Sequence, residues 1–450
     1  MPGLLGRHAI VVGAGIGGLA AAKALSSSFE IVTVLERDDL PSEPIARSGT
    51  PQARQIHVLL RGGLDALVEL FPDFETELEH AGAVRVRVGS QSLLEMPGFD
   101  PFPRRDLGFD FLCMTRPLVE FVARRLVEQQ GNIVLKSRCR ATQLLESADH
   151  AAVTGVRYDE ASGGINELAA DFIVDASSRG ALTLELLDRM ALPRPQETEI
   201  GIDLRYATAM FEIPPAAPRD WRAVIHRPSA QSGRGGLLVP VENNCWQVNL
   251  TGMHGEVMPE SVADFVAFAR TLRTHSIHDA IEGTVPVGPI YRFGFPCSIR
   301  RRFEELDRFP DHLLPLGDVI CRFNPAFGQG MSVAAQETRV LKRLIEARAF
   351  EADPLKGLAR SFFAEIQDLL AAPWAVAEGD FIFENTRGQR PDDFCQRLNF
   401  NAALQRLAAE DATVHRIMLE VTHLVKRSSS LRDPQIVSRV TAMMAASVVG

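Results

Sequence analysis

Close cysteine pairs are missing from this chain: Cys113, Cys139, Cys245, Cys297, Cys321 and Cys395 are all far apart in sequence. That spacing argues against a zinc site and against a disulfide framework, and it fits a reducing cytoplasm. No apolar run approaches the ~20 residues of a membrane span. The apolar stretch after Arg7 is cut by four glycines within six residues, so it does not read as a signal peptide. Basic residues are not in excess: Lys and Arg total 48 against 57 Asp and Glu, a net charge of −9, which argues against nucleic acid as a partner. The one basic run, Arg300-Arg301-Arg302, is followed by Glu304 and Glu305 and reads as a solvated helix face. There is no internal repeat and no low-complexity tract.

What is present begins at the N-terminus. His8 to Val12 is a short apolar run of the kind that forms a fully buried parallel strand. Gly13-Ala14-Gly15-Ile16-Gly17-Gly18 follows at once, and Leu19 to Leu25 is a helix rich in Ala and Leu. In a Gly-x-Gly-x-x-Gly turn the first glycine allows the sharp turn, the second lets backbone approach a pyrophosphate, and the third lets helix pack on strand. The helix then offers its free N–H groups and positive dipole to phosphate. A second strand, Ile31 to Leu35, ends in Glu36, eighteen residues after Gly18, where an acid can accept from a ribose diol. This order of elements indicates dinucleotide binding without separating NAD from FAD.

About 300 residues later comes Leu316-Gly317-Asp318, then Asn324-Pro325-Ala326-Phe327-Gly328-Gln329-Gly330-Met331. Alone this is a strand end, an acid and a glycine-rich turn into a helix. With the N-terminal fingerprint it becomes the second hold on a long, two-ended cofactor, and FAD is such a cofactor. Gly328 and Gly330 permit close approach, and Pro325 sets the turn before them. The helix N-terminus would face the flavin edge where negative charge gathers on reduction.

With three further segments, these motifs resemble the flavoprotein monooxygenases of the aromatic-hydroxylase and squalene-epoxidase superfamily. Within it, the likeness is to bacterial FAD-dependent epoxidases and hydroxylases of secondary metabolism. The further segments are Arg47 to Gln52 with His57, Thr115-Arg116-Pro117-Leu118, and Asp175-Ala-Ser-Ser-Arg179-Gly180. The resemblance implies an α/β fold: a Rossmann-like FAD-binding domain of glutathione-reductase type, an inserted, mainly antiparallel β-sheet substrate domain, and a helical C-terminal region. It implies FAD contacts at Gly13, Ala14, Gly15, Ile16, Gly17, Gly18, Glu36, Arg37, Arg47, Arg116, Asp318, Gly328, Gly330 and Met331, with Asp318 on the ribityl chain. Arg47 could serve pyrophosphate or a substrate anion, and Arg116 either FAD or a salt bridge.

Two departures qualify the likeness. Aromatic hydroxylases carry Asp-Gly where this chain has Asp175-Ala176, which weakens any carry-over of nicotinamide handling. The Trp-x-Trp-x-Ile-Pro segment of tryptophan halogenases is missing, since Trp221, Trp246 and Trp374 are far apart, and this disfavours halogenation. Ser232-Gly233-Arg234-Gly235-Gly236 precedes a strand instead of opening a helix, so it is no second fingerprint. Electrons would come from transiently bound NAD(P)H or from a separate flavin reductase as partner.

The pattern divides the chain into a first FAD-binding part at 1–190, a substrate domain at 195–295, a second FAD-binding part at 296–350 and a helical region at 351–450. Strand and helix alternate at first, with a β-excursion at 153–170 turning at Ser162-Gly163-Gly164. Asp203 to Ile213, Ala223 to His226, Gly236 to Val241 and Cys245 to Thr251 read as an antiparallel sheet, covered by a helix from Ser261 to Arg273. A long helix spans Met331 to Ala349. Later helices are cut at Pro373, Gly388-Gln389-Arg390-Pro391 and Pro434, and Thr441 to Val449 reads as a docking helix.

Gln52, His57, Tyr206 and Phe293 are the candidate substrate contacts, each with core packing as its alternative, as for Phe211 and Phe295. Asp175 and Arg179 read as a pair near the site. No acid–base dyad stands out, so the catalytic residues stay unknown. With three Tyr and three Trp against 25 Phe, composition favours an apolar substrate. The expected activity is insertion of one oxygen atom from O2, through a flavin C4a-hydroperoxide, into an apolar alkene or aromatic metabolite. A prenyl-reductase type of flavoenzyme and a non-catalytic flavin-binding partner are the alternatives.

Overall fold

A computed structural model of the chain describes residues 4–449 apart from 162 and 219. Ser162, expected in the turn with Gly163 and Gly164, lies outside them. Five parallel strands form the first sheet in the order Leu313–Pro315, Phe172–Asp175, Gly6–Val12, Phe29–Leu35 and Ile133–Lys136. Its central strand is apolar because both faces are covered: Ala9, Ile10 and Val11 are fully buried. Val12 pairs with Asp175 and with Leu35, and Asp175 pairs with Pro315. Gly13, Glu36, Ala176 and Gly317 therefore all leave the sheet at its carboxyl edge, where open α/β sheets bind ligands.

Two helices lie against this edge. A Cβ on Gly17 would sit 3.0 Å from Leu316 Cδ2 and 3.1 Å from Ala334 Cβ. The bare backbone there lets the first helix, Ile16–Leu25, rest on the long helix Gly330–Arg348. A three-stranded excursion, Cys139–Glu146, Val153–Glu160 and Ile165–Ala169, covers the other side.

The second sheet has eight strands and is built on two sixteen-residue strands, Glu197–Glu212 and Pro286–Arg301, paired antiparallel. Residue alternation gives it two faces. Ala207, Ala209, Phe211, Val248 and Leu250 pack on Phe265, Phe268, Ile277 and Ile281 of two short helices. Tyr206, Thr208, Gln247 and Asn249 occupy the opposite face, which meets the loops of the first sheet.

Three expectations change. Arg300 and Arg301 are buried at the end of a strand and not on a solvated helix. The partners that allow this are Glu197, 2.7 Å from Arg301, the carbonyl of Val319, and Gln367, 2.7 Å from Arg300. Pro373 does not end a helix but sits buried inside Gln367–Glu378, where Leu370, Trp374 and Ala377 hold the helix to the core across the proline. The helix read at Ser261 to Arg273 is Val262–Arg270, capped by Ser261. The final helix, Pro434–Val449, docks on Phe394–Glu410 through Ile436 and Val440.

Candidate active site

At the nucleotide end, Gly13 has φ +102°, and a Cβ on it would lie 2.7 Å from the carbonyl oxygen of Ala176. A Cβ on Gly18 would run into the carbonyl of Gly13. Gly15 differs: no heavy atom lies within 4 Å of a Cβ built there, and no side chain caps the helix it opens. Glu36 closes the turn by accepting from Ala14 N at 2.8 Å and from Asp38 N at 3.0 Å. Arg47 Nη1 stands 2.8 Å from the same carboxylate. A carboxylate offers about four acceptor sites, so beyond the two backbone donors Glu36 keeps capacity for a ribose hydroxyl. Arg37 is exposed and donates to the carbonyl of Gly49 at 3.0 Å.

Arg47 is buried among three carboxylates, Glu36, Asp38 and Glu120, the last at 3.1 Å. Burial pulls its guanidinium down, but Glu120 and Glu36 outweigh that and hold its pKa above the ordinary value. Glu120 also binds Arg116 Nε at 2.8 Å, and Arg116 Nη1 reaches His57 Nε2 at 3.2 Å. A polar chain thus runs from Glu36 through Arg47, Glu120 and Arg116 to His57. Burial and then Arg116 push His57 down to about 3, so it is a neutral imidazole that accepts from Arg116 and donates to the carbonyl of Gln55 at 2.9 Å.

At the other end, Gly317 has φ +68°, and its N–H donates to Glu337 at 2.6 Å. Asp318, pushed up by burial, borders a cavity of about 310 Å³ lined also by Ser178, Arg179, Arg301 and Arg322. Gly328 is left-handed at φ +66°, and a Cβ on Gly330 would come within 3.7 Å of Asp318 Oδ1. Met331 lies half-buried in the first turn of the helix. Asp175 does not pair with Arg179. Its carboxylate accepts from Ser177 N and from the Thr183 hydroxyl at 2.6 Å, which leaves Arg179 facing the cavity.

Between the two sheets, Gln55 accepts from Thr208 at 2.6 Å and donates to the carbonyl of Tyr291 at 3.4 Å, and Asn249 donates to Thr208 at 2.9 Å. Gln247 reaches the carbonyl of Arg54 at 3.3 Å. The carbonyl oxygens of Gln247 and Asn249 are buried without a partner. Tyr206, paired with Phe293 across the strands, points its hydroxyl at Asn324 at 3.5 Å, and Asn324 donates to Asp380 at 3.0 Å. Burial raises Asp380 to about 7 against the pull of Asn324 and Arg227, and burial and then Asp380 raise Tyr206 well above the ordinary range.

Tyr206 and Phe293 are therefore paired across the second sheet beside this polar cluster, whereas Gln52 lies in the turn Pro51–Arg54 and Gln55 enters the cluster instead. Sequence reading missed Gln55, Thr208, Asn249, Arg227 and Asp380, and gave Asn324 only as the start of the glycine-rich turn. The alternation along the strand from Asp203 placed Thr208 on the Tyr206 face, so Thr208 was within reach. Nothing in the sequence marked Asp380.

These features suit FAD. The open space at Gly15 and the uncapped helix admit a pyrophosphate, and the arginine-lined cavity beside Asp318 suits a polyol joined to phosphate. The buried, unpartnered carbonyl of Gln329 lies in the turn expected to meet the flavin. The family model described as FAD binding domain matches residues 7–354. Protein Rv3254 of Mycobacterium tuberculosis is 31% identical over 349 residues, covering 76% of this chain and 73% of that protein. Among solved structures, the flavin-dependent brominase Bmp2 is similar with a TM-score of 0.65 at 14% identity, over 93% of this chain and 94% of that one. PqsL, a probable FAD-dependent monooxygenase from Pseudomonas aeruginosa, is similar with a TM-score of 0.59 at 17% identity, over 84% and 98%. At these identities the structures speak for the fold. The chain belongs to the FAD-binding domain family, the flavoprotein group that its motifs resemble.

Proposed function

We propose that this member of the FAD-binding domain family is an FAD-dependent monooxygenase that inserts one atom of O2 into an alkene or aromatic ring of a small molecule. One observation carries the reading: the fingerprint turn and the Gly317-Asp318 turn leave one sheet edge two strands apart, ~10 Å by strand spacing, and the second of them borders a cavity of about 310 Å³. PqsL, described as a probable monooxygenase, is in keeping with it.

In this reading, residues 1–190 and 296–350 hold the cofactor, 195–295 form the substrate domain, and 351–450 close the site with Asp380. FAD, when bound, supplies the activation of O2. Gly13 to Gly18 and Glu36 hold the adenosine end, Asp318 holds the ribityl chain, and the helix Gly330–Arg348 turns its N-terminal N–H groups towards charge on the reduced ring. Tyr206 and Phe293 wall the substrate, and their rings keep water from it. The electron donor is NAD(P)H bound transiently or a partner reductase, in the cytoplasm. No helix among the described residues is long and apolar enough to cross a membrane.

The test is isotopic. Holoprotein reduced without oxygen, then mixed with ¹⁸O2 and a panel of aryl and alkenyl compounds, should yield a product carrying a single ¹⁸O atom. Oxidation of the flavin by an organic acceptor without O2 would instead identify a reductase, and label found only in water and peroxide would defeat the proposal.

A further inference from the structure

Arg227 follows the strand Ala223–His226, and Pro228 after it holds its backbone extended. Its guanidinium lies over the ring of Phe327, 5.2 Å from the centroid, in the turn that leads to Gly328 and the long helix. Among the described residues it has no ion pair and no side-chain hydrogen bond. Glu95, the nearest acid along the chain pairing, takes only the backbone N–H of Arg227, through its carbonyl. The Glu95 carboxylate is committed to His226 at 3.0 Å, to Ser276 at 2.6 Å and to Thr274. Asp380 faces Arg227 at longer range and is bonded to Asn324.

Arg227 is half-buried, and a guanidinium drawn even partly out of water without a counter-charge is destabilised. Burial indeed lowers the Arg227 pKa, and only Asp380 opposes that. A charge left in this state beside the expected flavin turn is one whose partner arrives with a ligand. Arginine stacked on an aromatic ring presents its planar fork to a carboxylate or a similar flat oxyanion.

Building on the monooxygenase reading, the geometry points to a substrate that is an organic anion: an apolar body lying along Tyr206 and Phe293, with a carboxylate or acidic enolate held by Arg227 over Phe327. This gives the apolar substrate expected from composition a charged end.

The experiment uses FAD-loaded protein and reads ligand binding from the flavin absorbance, with one- to three-ring aryl carboxylates against their neutral amides as probes. Wild type should bind at least one carboxylate at least tenfold more tightly than its amide. Arg227→Met should lose that preference, and Arg227→Lys should recover part of it, while flavin content and melting temperature report that fold and cofactor site persist. The inference is overturned if no carboxylate saturates the wild type, if carboxylate and amide bind alike, or if the preference survives in Arg227→Met. It is also overturned if Arg227→Met weakens FAD itself and leaves ligand preference intact, since the guanidinium would then serve the cofactor. None of these readings depends on oxygen transfer, so failure here is distinct from failure of the isotope test.

Discussion

Arg47 Nη1 lies 2.8 Å from Glu36 Oε2, with both side chains almost fully buried, so the acid expected to hold the ribose is itself held by a residue eleven positions later. Arg47 touches Glu120 as well, and through it the Arg116–His57 pair. Replacing Arg47 with Met leaves buried carboxylates without a counter-charge, a change that costs about 3–5 kcal/mol. Arg47→Met should lower apoprotein stability in urea by that order and weaken FAD binding as Glu36 loses its position. Arg47→Met with Glu120→Gln should recover part of both. An Arg47→Met protein as stable as wild type would show that the network carries no weight.

Gly15 and Gly18 look alike in sequence and differ in space. A side chain at Gly18 collides with the carbonyl of Gly13, whereas one at Gly15 meets nothing and has an ordinary φ of −76°. Gly15→Ala should therefore fold with a melting temperature within a few degrees of wild type, yet bind FAD at least tenfold more weakly, because the methyl enters the space left for pyrophosphate. Gly18→Ala should lose stability before any ligand is added. Equal FAD affinity in Gly15→Ala and wild type would place the phosphates elsewhere.

The parallel sheet and both glycine turns were legible because glycine spacing, apolar runs and a strand-terminal acid are local signals. The sixteen-residue strand Pro286–Arg301 was not, since its prolines, glycines and terminal arginines hide a strand stabilised by pairing with Glu197–Glu212. Arg301 shows why: its strand is possible only because Glu197, over a hundred residues away, faces it in register. The same holds for the site. Gly13 and Asp318 carry their own context, but Asp380 acquires meaning only from Asn324, which folding brings to 3.0 Å.

Glu337 is fully buried and pushed by burial up to about 8, although the Gly317 N–H pulls the other way. Between the ordinary carboxyl pKa and that value the folded state keeps a proton that the unfolded state has lost. The acid therefore costs more stability as pH rises from about 4.5 towards 8. Glu337→Gln keeps an acceptor for Gly317 and carries no such penalty. Its apoprotein should gain on wild type by about 5 kcal/mol from acidic to mildly alkaline pH, read as a widening gap in urea midpoint. Parallel stability profiles would mean that Glu337 titrates normally.

Asp380 supplies a second and opposite use of pH, this time on binding. It is raised to about 7 by burial, opposed by Asn324 and Arg227, and the other ionisable group that senses it is Tyr206, which stays neutral. Below that pH, Asp380 is a neutral carboxyl beside Arg227 and does not repel an anionic ligand. Above it, the ionised carboxylate competes with the ligand for the guanidinium, so affinity for an aryl carboxylate should fall as pH rises through neutrality. Asp380→Asn keeps the size and the contact to Asn324 while removing the titration. It should flatten the pH profile of carboxylate binding and hold the high affinity of the acidic limb, with the amide probes insensitive to pH in both proteins. A carboxylate profile that still bends near 7 in Asp380→Asn would assign the titration to another group, and affinity rising with pH in the wild type would reverse the charge argument altogether.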